Sequence, residues 1–192
     1  FDRPNRPPYF DSVSADCKLE FRLARKDPAG NCTQGITRTF SAATNNAYDN
    51  VKSIISWNGA HYLNIWVVNN IAKDGDPSQI VLGYATFPST TADSKQGIVI
   101  RADNVGGIRG RTLTHEVGHW LNLRHIWGDS ECGSDLVEDT PPHTGPNFDN
   151  NVCFTHPKIT GSRNALGQAT TQGPPCPELD LRTGEMFENY MD

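Results

Sequence analysis

His115-Glu116-Val117-Gly118-His119 sets two imidazoles four residues apart with a carboxylate between them. On a helix, residues i and i+4 share a face, so both rings can ligate one metal ion while Glu116 stands beside it as a base. Zinc in a hydrolytic site takes three protein ligands and keeps one position for water. His125, six residues after His119, supplies the third only if the helix breaks between them. Asn122 sits where the break is needed, and Asn is the commonest non-glycine residue in the left-handed conformation that ends helices. By ordinary residue frequencies a random chain of this length holds His-Glu-x-x-His about 1% of the time, and a third His at one offset lowers that roughly thirty-fold. Two surface histidines on an ordinary helix are therefore the poorer reading.

Three neutral imidazoles leave zinc its full charge, which brings the pKa of bound water toward ~7 and polarises a peptide carbonyl. Glu116 would take the water's proton and pass it to the leaving amine. The sequence implies a zinc endopeptidase of this kind, with no covalent intermediate and no GxSxG nucleophile signature to rival it. The alternative from another class is a non-catalytic binding module with a structural zinc. Such a site would be closed by a fourth protein ligand and would need no base beside it. His61, His143 and His156 read as surface or structural residues, because three histidines already fill the site.

These residues need a scaffold. Over 111–123 the apolar residues Leu113, Val117, Trp120 and Leu121 recur at helical spacing, so the metal ligands fall on a helix. A second amphipathic helix is predicted over 41–57, from Ala43, Ala47, Val51, Ile54 and Ile55 to the capping Asn58-Gly59. Alternation predicts a half-buried strand over 19–24, then a turn at 27–31, and 36–40 is a short strand candidate. The β-rich runs 62–68 and 97–100 read as central strands, and 81–87, ended by Pro88, as an edge strand. A mixed sheet backed by the first helix is the economical arrangement. After His125 periodicity disappears, and Gly, Pro, Asn, Thr and Cys predict a small loop-built lobe held by disulfides.

The chain has 192 residues, enough for one domain with a small lobe. With 17 Lys and Arg against 22 Asp and Glu, its net charge of −5 excludes the basic face that a nucleic-acid binder needs. No apolar run approaches the ~20 residues that span a bilayer, and Phe1-Asp2-Arg3-Pro4 is unlike a signal peptide, so the expectation is a mature, soluble product without a membrane partner. Residues 3–8 read as an extended arm. Five cysteines without a CxxC pair favour structural disulfides over a zinc ribbon, and so a secreted, extracellular protein. The odd count leaves one thiol over.

The stretch His115 to His125 resembles the metzincin clan of zinc peptidases, whose pattern is HExxHxxGxxH with a methionine in a downstream tight turn. Asn122 in place of the usual glycine is similar to the pappalysin family, ulilysin-like, and so are the segments 82–88, 133–141 and 188–192. The resemblance implies an α/β (α+β) fold: a twisted mixed sheet with a backing helix and an active-site helix in an upper lobe, 1–124, and an irregular, disulfide-tied lower lobe, 125–192. It implies that Met191 is the Met-turn residue, a role Met186 fits less well, and that 81–86 is the cleft strand along which a peptide or protein substrate lies, on Gly83, Tyr84 and Ala85. At 135–140, carboxylates and carbonyls at alternate positions suit a calcium ion as well as they suit a solvated acidic loop. The resemblance favours calcium, on Asp135, Val137, Asp139 and Thr140. Loop position and resemblance together pair Cys132 with Cys176 and Cys17 with Cys32, leaving Cys153 alone, and imply that a Met-turn one residue from Asp192 belongs to a truncated or cleaved form of a longer domain. Asn31-Cys32-Thr33 fits the glycosylation pattern.

Overall fold

The computed structural model describes residues 8, 11, 15–72, 80–90, 95–106, 111–146, 176 and 191. The chain divides into two compact units, Phe1–Ile36 and Thr37–Asp192. In the first, Asp27 builds the expected turn: its carboxylate accepts from the amides of Ala29 (3.0 Å) and Asn31 (2.8 Å). A single antiparallel bridge, Lys26 to Cys32, closes the hairpin. The strand expected over 19–24 does not form, and Leu19, Phe21 and Leu23 stand exposed. Nor does 36–40 form a strand, since alternation alone supplies no partner.

The second unit carries a three-stranded sheet of order β1-β3-β2, made by β1 (Ile65–Val68), β2 (Gly83–Ala85) and β3 (Ile98–Arg101). β3 is central: Ile98, Val99 and Ile100 are buried, the run of β-branched residues expected of a strand covered on both faces. β1 runs parallel to it and β2 antiparallel, so the sheet is mixed; β2 is the edge strand that its position before Pro88 suggests, whereas β1, expected to be central, lies at the other end of the described sheet. Trp66, Val68 and Val99 pack with Ala47, Val51 and Ile71 into the core.

The helix expected over 41–57 is broken into a 3-10 turn, Ala42–Asn45, and one turn of α-helix, α1 (Asp49–Lys52). The cause is tertiary. Ala47, mid-helix by sequence, bridges Ile71 in parallel, its amide donating to Asn70 O (3.0 Å) and its carbonyl accepting from Ala72 N (2.9 Å). Inside the new turn, the Asn50 side-chain oxygen accepts from the amides of Tyr48 and Val51. Ala47 and Val51 are still buried, as the periodicity required.

α2 (Arg111–Trp120) is the ligand-bearing helix, packed against β2 and β3. It ends three residues short of the expected 123, in a Schellman motif: Leu123 N–H donates to Gly118 O and Asn122 N–H to His119 O, both at 2.9 Å, with Asn122 at φ 75°. The presumed apolar stripe is only half-buried, and Leu121 is exposed. The helix instead buries Glu116, Gly118 and His119, since its inner face lies over β2.

Candidate metal centre

The turn at Asn122 brings His125 back to the helix. The Nε2 atoms of His115 and His119 each lie 3.2 Å from Nε2 of His125. No fourth His, Cys, Asp or Glu joins the three among the described residues. The ring hydrogens are accounted for elsewhere: His119 Nδ1–H donates to Leu123 O (2.9 Å) and His125 Nδ1–H to Asp129 Oδ1 (2.5 Å). The Nε2 atoms of His119 and His125 therefore carry lone pairs that face each other, an arrangement a cation relieves. Tetrahedral zinc with Zn–N of about 2.05 Å separates its nitrogens by about 3.3 Å, so the residues fit zinc. Burial, opposed by its bond to Leu123, lowers the His119 pKa, which keeps the ring in the neutral, ligating form.

Aromatic walls hold the rings. Trp127 stacks on His125 at 4.3 Å between centroids and 5° between planes, and Phe87 packs on His119 at 5.2 Å. The sequence reasoning missed Asp129 and Trp127. A signal was present, because Asp129 follows His125 by four residues and a ligating histidine regularly gives its other N–H to a carboxylate.

Glu116 is buried, and its Oε2 has no hydrogen-bond partner among the described residues. Burial pushes its pKa up to about 7, against one stabilising donor, the backbone N–H of Ala85. Gly83 explains the fit against β2: a Cβ there would lie 3.1 Å from Glu116 Cγ and 3.2 Å from Oε1. Gly118 serves the other side of the helix. A Cβ on it would collide with Sδ of Met191, which is 5% exposed. The Met191 carbonyl in turn accepts from Ile126 N (3.1 Å), so this residue touches both ligand-bearing segments.

Gly83, Tyr84 and Ala85 form β2 itself. Asp135 is buried and its carboxylate accepts from Val137 N (3.0 Å), while Thr140 N donates to Val137 O (3.3 Å). This is a tight turn around Leu136, at φ 66°. Cys132 and Cys176 form a disulfide with Cα atoms 5.5 Å apart. The expected Cys17–Cys32 pair is corrected: both are free, exposed thiols. Cys32 sits opposite Lys26 in the hairpin, with Thr33 N–H reaching Arg25 O (3.0 Å). His143 is fully buried and His61 exposed, while Cys153, His156 and Met186 lie outside the described residues.

Three imidazole nitrogens at ligand spacing beside a buried carboxylate are the arrangement of a metzincin-type zinc peptidase site. Within that class the chain belongs to the M43 family of peptidases: the family model described as pregnancy-associated plasma protein-A matches residues 45–165. It is similar to an extracellular metalloprotease of Arthroderma otae, 34% identical over 140 residues, covering 66% of this chain and 46% of that protein. Another from Arthroderma gypseum is 31% identical over 156 residues, covering 74% and 44%. The fold matches Tannerella forsythia mature mirolysin in complex with a cleaved peptide at a TM-score of 0.69 and 39% identity, covering 100% of this chain and 68% of that one. The chain spans less than half the length of the curated relatives it matches.

Proposed function

We propose that this chain carries the catalytic centre of a secreted zinc endopeptidase, with His115, His119 and His125 holding the metal and Glu116 acting as general base and acid. The observation that carries this reading is the convergence of three Nε2 atoms on one point beside a buried carboxylate. When bound, zinc would supply a Lewis acid for the peptide carbonyl and acidify the attacking water. Glu116, held near neutral pKa by burial, is matched to take that water's proton at neutral pH and deliver it to the leaving amine. A structural-zinc module would leave an unneutralised carboxylate in the helix without purpose.

The substrate is a peptide lying antiparallel along β2. Thr86 N–H donates to Gly97 O and Arg101 N–H to Leu82 O, both at 3.0 Å, so 82 and 86 face β3, while the backbone groups of Gly83 and the Ala85 carbonyl face an edge that no described strand covers, the Ala85 N–H being taken by Glu116. The cleft would lie between an upper lobe, 1–124, and a lower lobe from 125 that carries His125 and Met191. Extracellular location follows the names of the fungal relatives and the disulfide. No helix among the described residues is long and apolar enough to cross a membrane.

Glu116→Ala tests the function. Zinc content should stay at one per chain while peptide hydrolysis falls by ~10²–10⁴. Near-normal proteolysis by this variant would sink the assignment.

Calcium at Asp135, Val137, Asp139 and Thr140 is the second part of the proposal. The buried Asp135 carboxylate supports it. Melting of chelator-stripped, zinc-restored protein should rise with calcium, by ~2.7 kcal/mol of stability at a hundred times Kd. An unchanged melt rules calcium out.

A further inference from the structure

Lys52 on α1 is a buried ammonium, its side chain 2% exposed. A buried charge is tolerated only where it is paired and hydrogen-bonded, so its partners reveal what it holds. Nζ lies 3.0 Å from Asp49 Oδ1 and donates to Thr86 Oγ1 at 2.8 Å. It also sits over the Tyr84 ring at 4.7 Å and the Trp66 ring at 5.8 Å. The Tyr84 hydroxyl donates to the same Asp49 oxygen at 3.2 Å, and the Thr86 hydroxyl to Lys95 O at 3.1 Å. One ion pair thus grips both Tyr84 and Thr86.

Side chains alternate across a strand, so the intervening positions meet the opposite side. Gly83 lies against the Glu116 side chain, and Ala85 N–H donates to its carboxylate. The position of Glu116 therefore depends on where β2 sits. β2 is a three-residue edge strand, and edge strands of that length drift or fray unless fixed.

We infer that Lys52 and Asp49 are positioning residues, clamping Tyr84 and Thr86 from the core side so that the backbone between them holds Glu116 in place. The catalytic consequence rests on the proposed peptidase reading; the clamp itself does not.

The test compares zinc-loaded wild-type protein with Lys52→Met and Tyr84→Phe, by hydrogen exchange of the segment 82–87 and by kcat and KM on a fluorogenic peptide. Lys52→Met should exchange about ten-fold faster or more at 82–87, with 111–120 unchanged. Its kcat should fall by about ten- to a hundred-fold with KM changed much less, because the general base, not peptide affinity, is misplaced. Tyr84→Phe loses one hydroxyl and folds more safely, and should move both readouts in the same direction by a smaller amount. Exchange at 82–87 unchanged in both variants overturns the clamp, as does an increase shared equally by 111–120. A loss confined to KM overturns the positioning of Glu116. If wild-type protein cleaves no peptide, the peptidase reading fails and the exchange measurement alone decides the clamp.

Discussion

Asp129 shows how much of a ligand's behaviour is set by the residue it hydrogen-bonds. Its carboxylate accepts a hydrogen bond from Nδ1–H of His125, which leaves Nε2 free to bind metal, and Trp127 stacks the ring in place. Removing such a partner costs ten- to a hundred-fold in metal affinity by precedent. Asp129→Ala should therefore weaken zinc binding by about that factor, measured by competition with a chromophoric chelator, while the fold persists because Asp129 is exposed. Equal affinity in variant and parent would show that Trp127 and the turn alone orient the ring. The paired glycines belong to the same scale, for Gly83 gives Glu116 its room and Gly118 gives Met191 its seat.

Among the elements, α2 decides the site by where it stops. Two more helical residues would swing His125 away from His115 and His119, and the Schellman bonds from Asn122 and Leu123 prevent that. Asn122 holds φ 75°, a conformation costing most L-residues ~1–2 kcal/mol. Asn122→Ala should lower stability by about 1 kcal/mol and weaken zinc binding as well, whereas Asn122→Gly should preserve both. Urea melts with a zinc titration check this, and an Ala variant as stable as the Gly variant would remove the argument. The failure of 41–57 to form one helix has the same logic in reverse: the bridge from Ala47 to Ile71 and the side-chain bonds of Asn50 outcompete local propensity.

For the whole molecule, the Cys132–Cys176 disulfide ties the loop after the third histidine to a residue 44 positions on. In the loop-entropy model, closing a loop of that size is worth about 4 kcal/mol. Cys132→Ser should lower unfolding stability by a few kcal/mol, with the same loss on reduction of the parent protein. A melt unaffected by both would mean that the lobe is held by other contacts. Cys17 and Cys32, already free and exposed, should react with a thiol reagent before any reduction.

The metal site was legible in the chain because its information is local: the His-Glu-x-x-His spacing, a third histidine six residues on and a residue that tolerates a left-handed turn all lie within 115–125. β1 and β3 were legible for the same reason, as runs rich in β-branched residues. Tertiary structure decided the rest. Whether Leu19, Phe21 and Leu23 make a strand depends on a partner that periodicity cannot supply, and whether Ala47 is helical depends on Ile71, 24 residues away. Cysteine pairing is likewise a matter of distance in space, so Cys132 meets Cys176 while Cys17 and Cys32 stay free thiols. Asp129 against His125, and Lys52 beneath Tyr84 and Thr86, become meaningful only once the chain is folded, because hydrogen bonds and buried charges are set by neighbours in space.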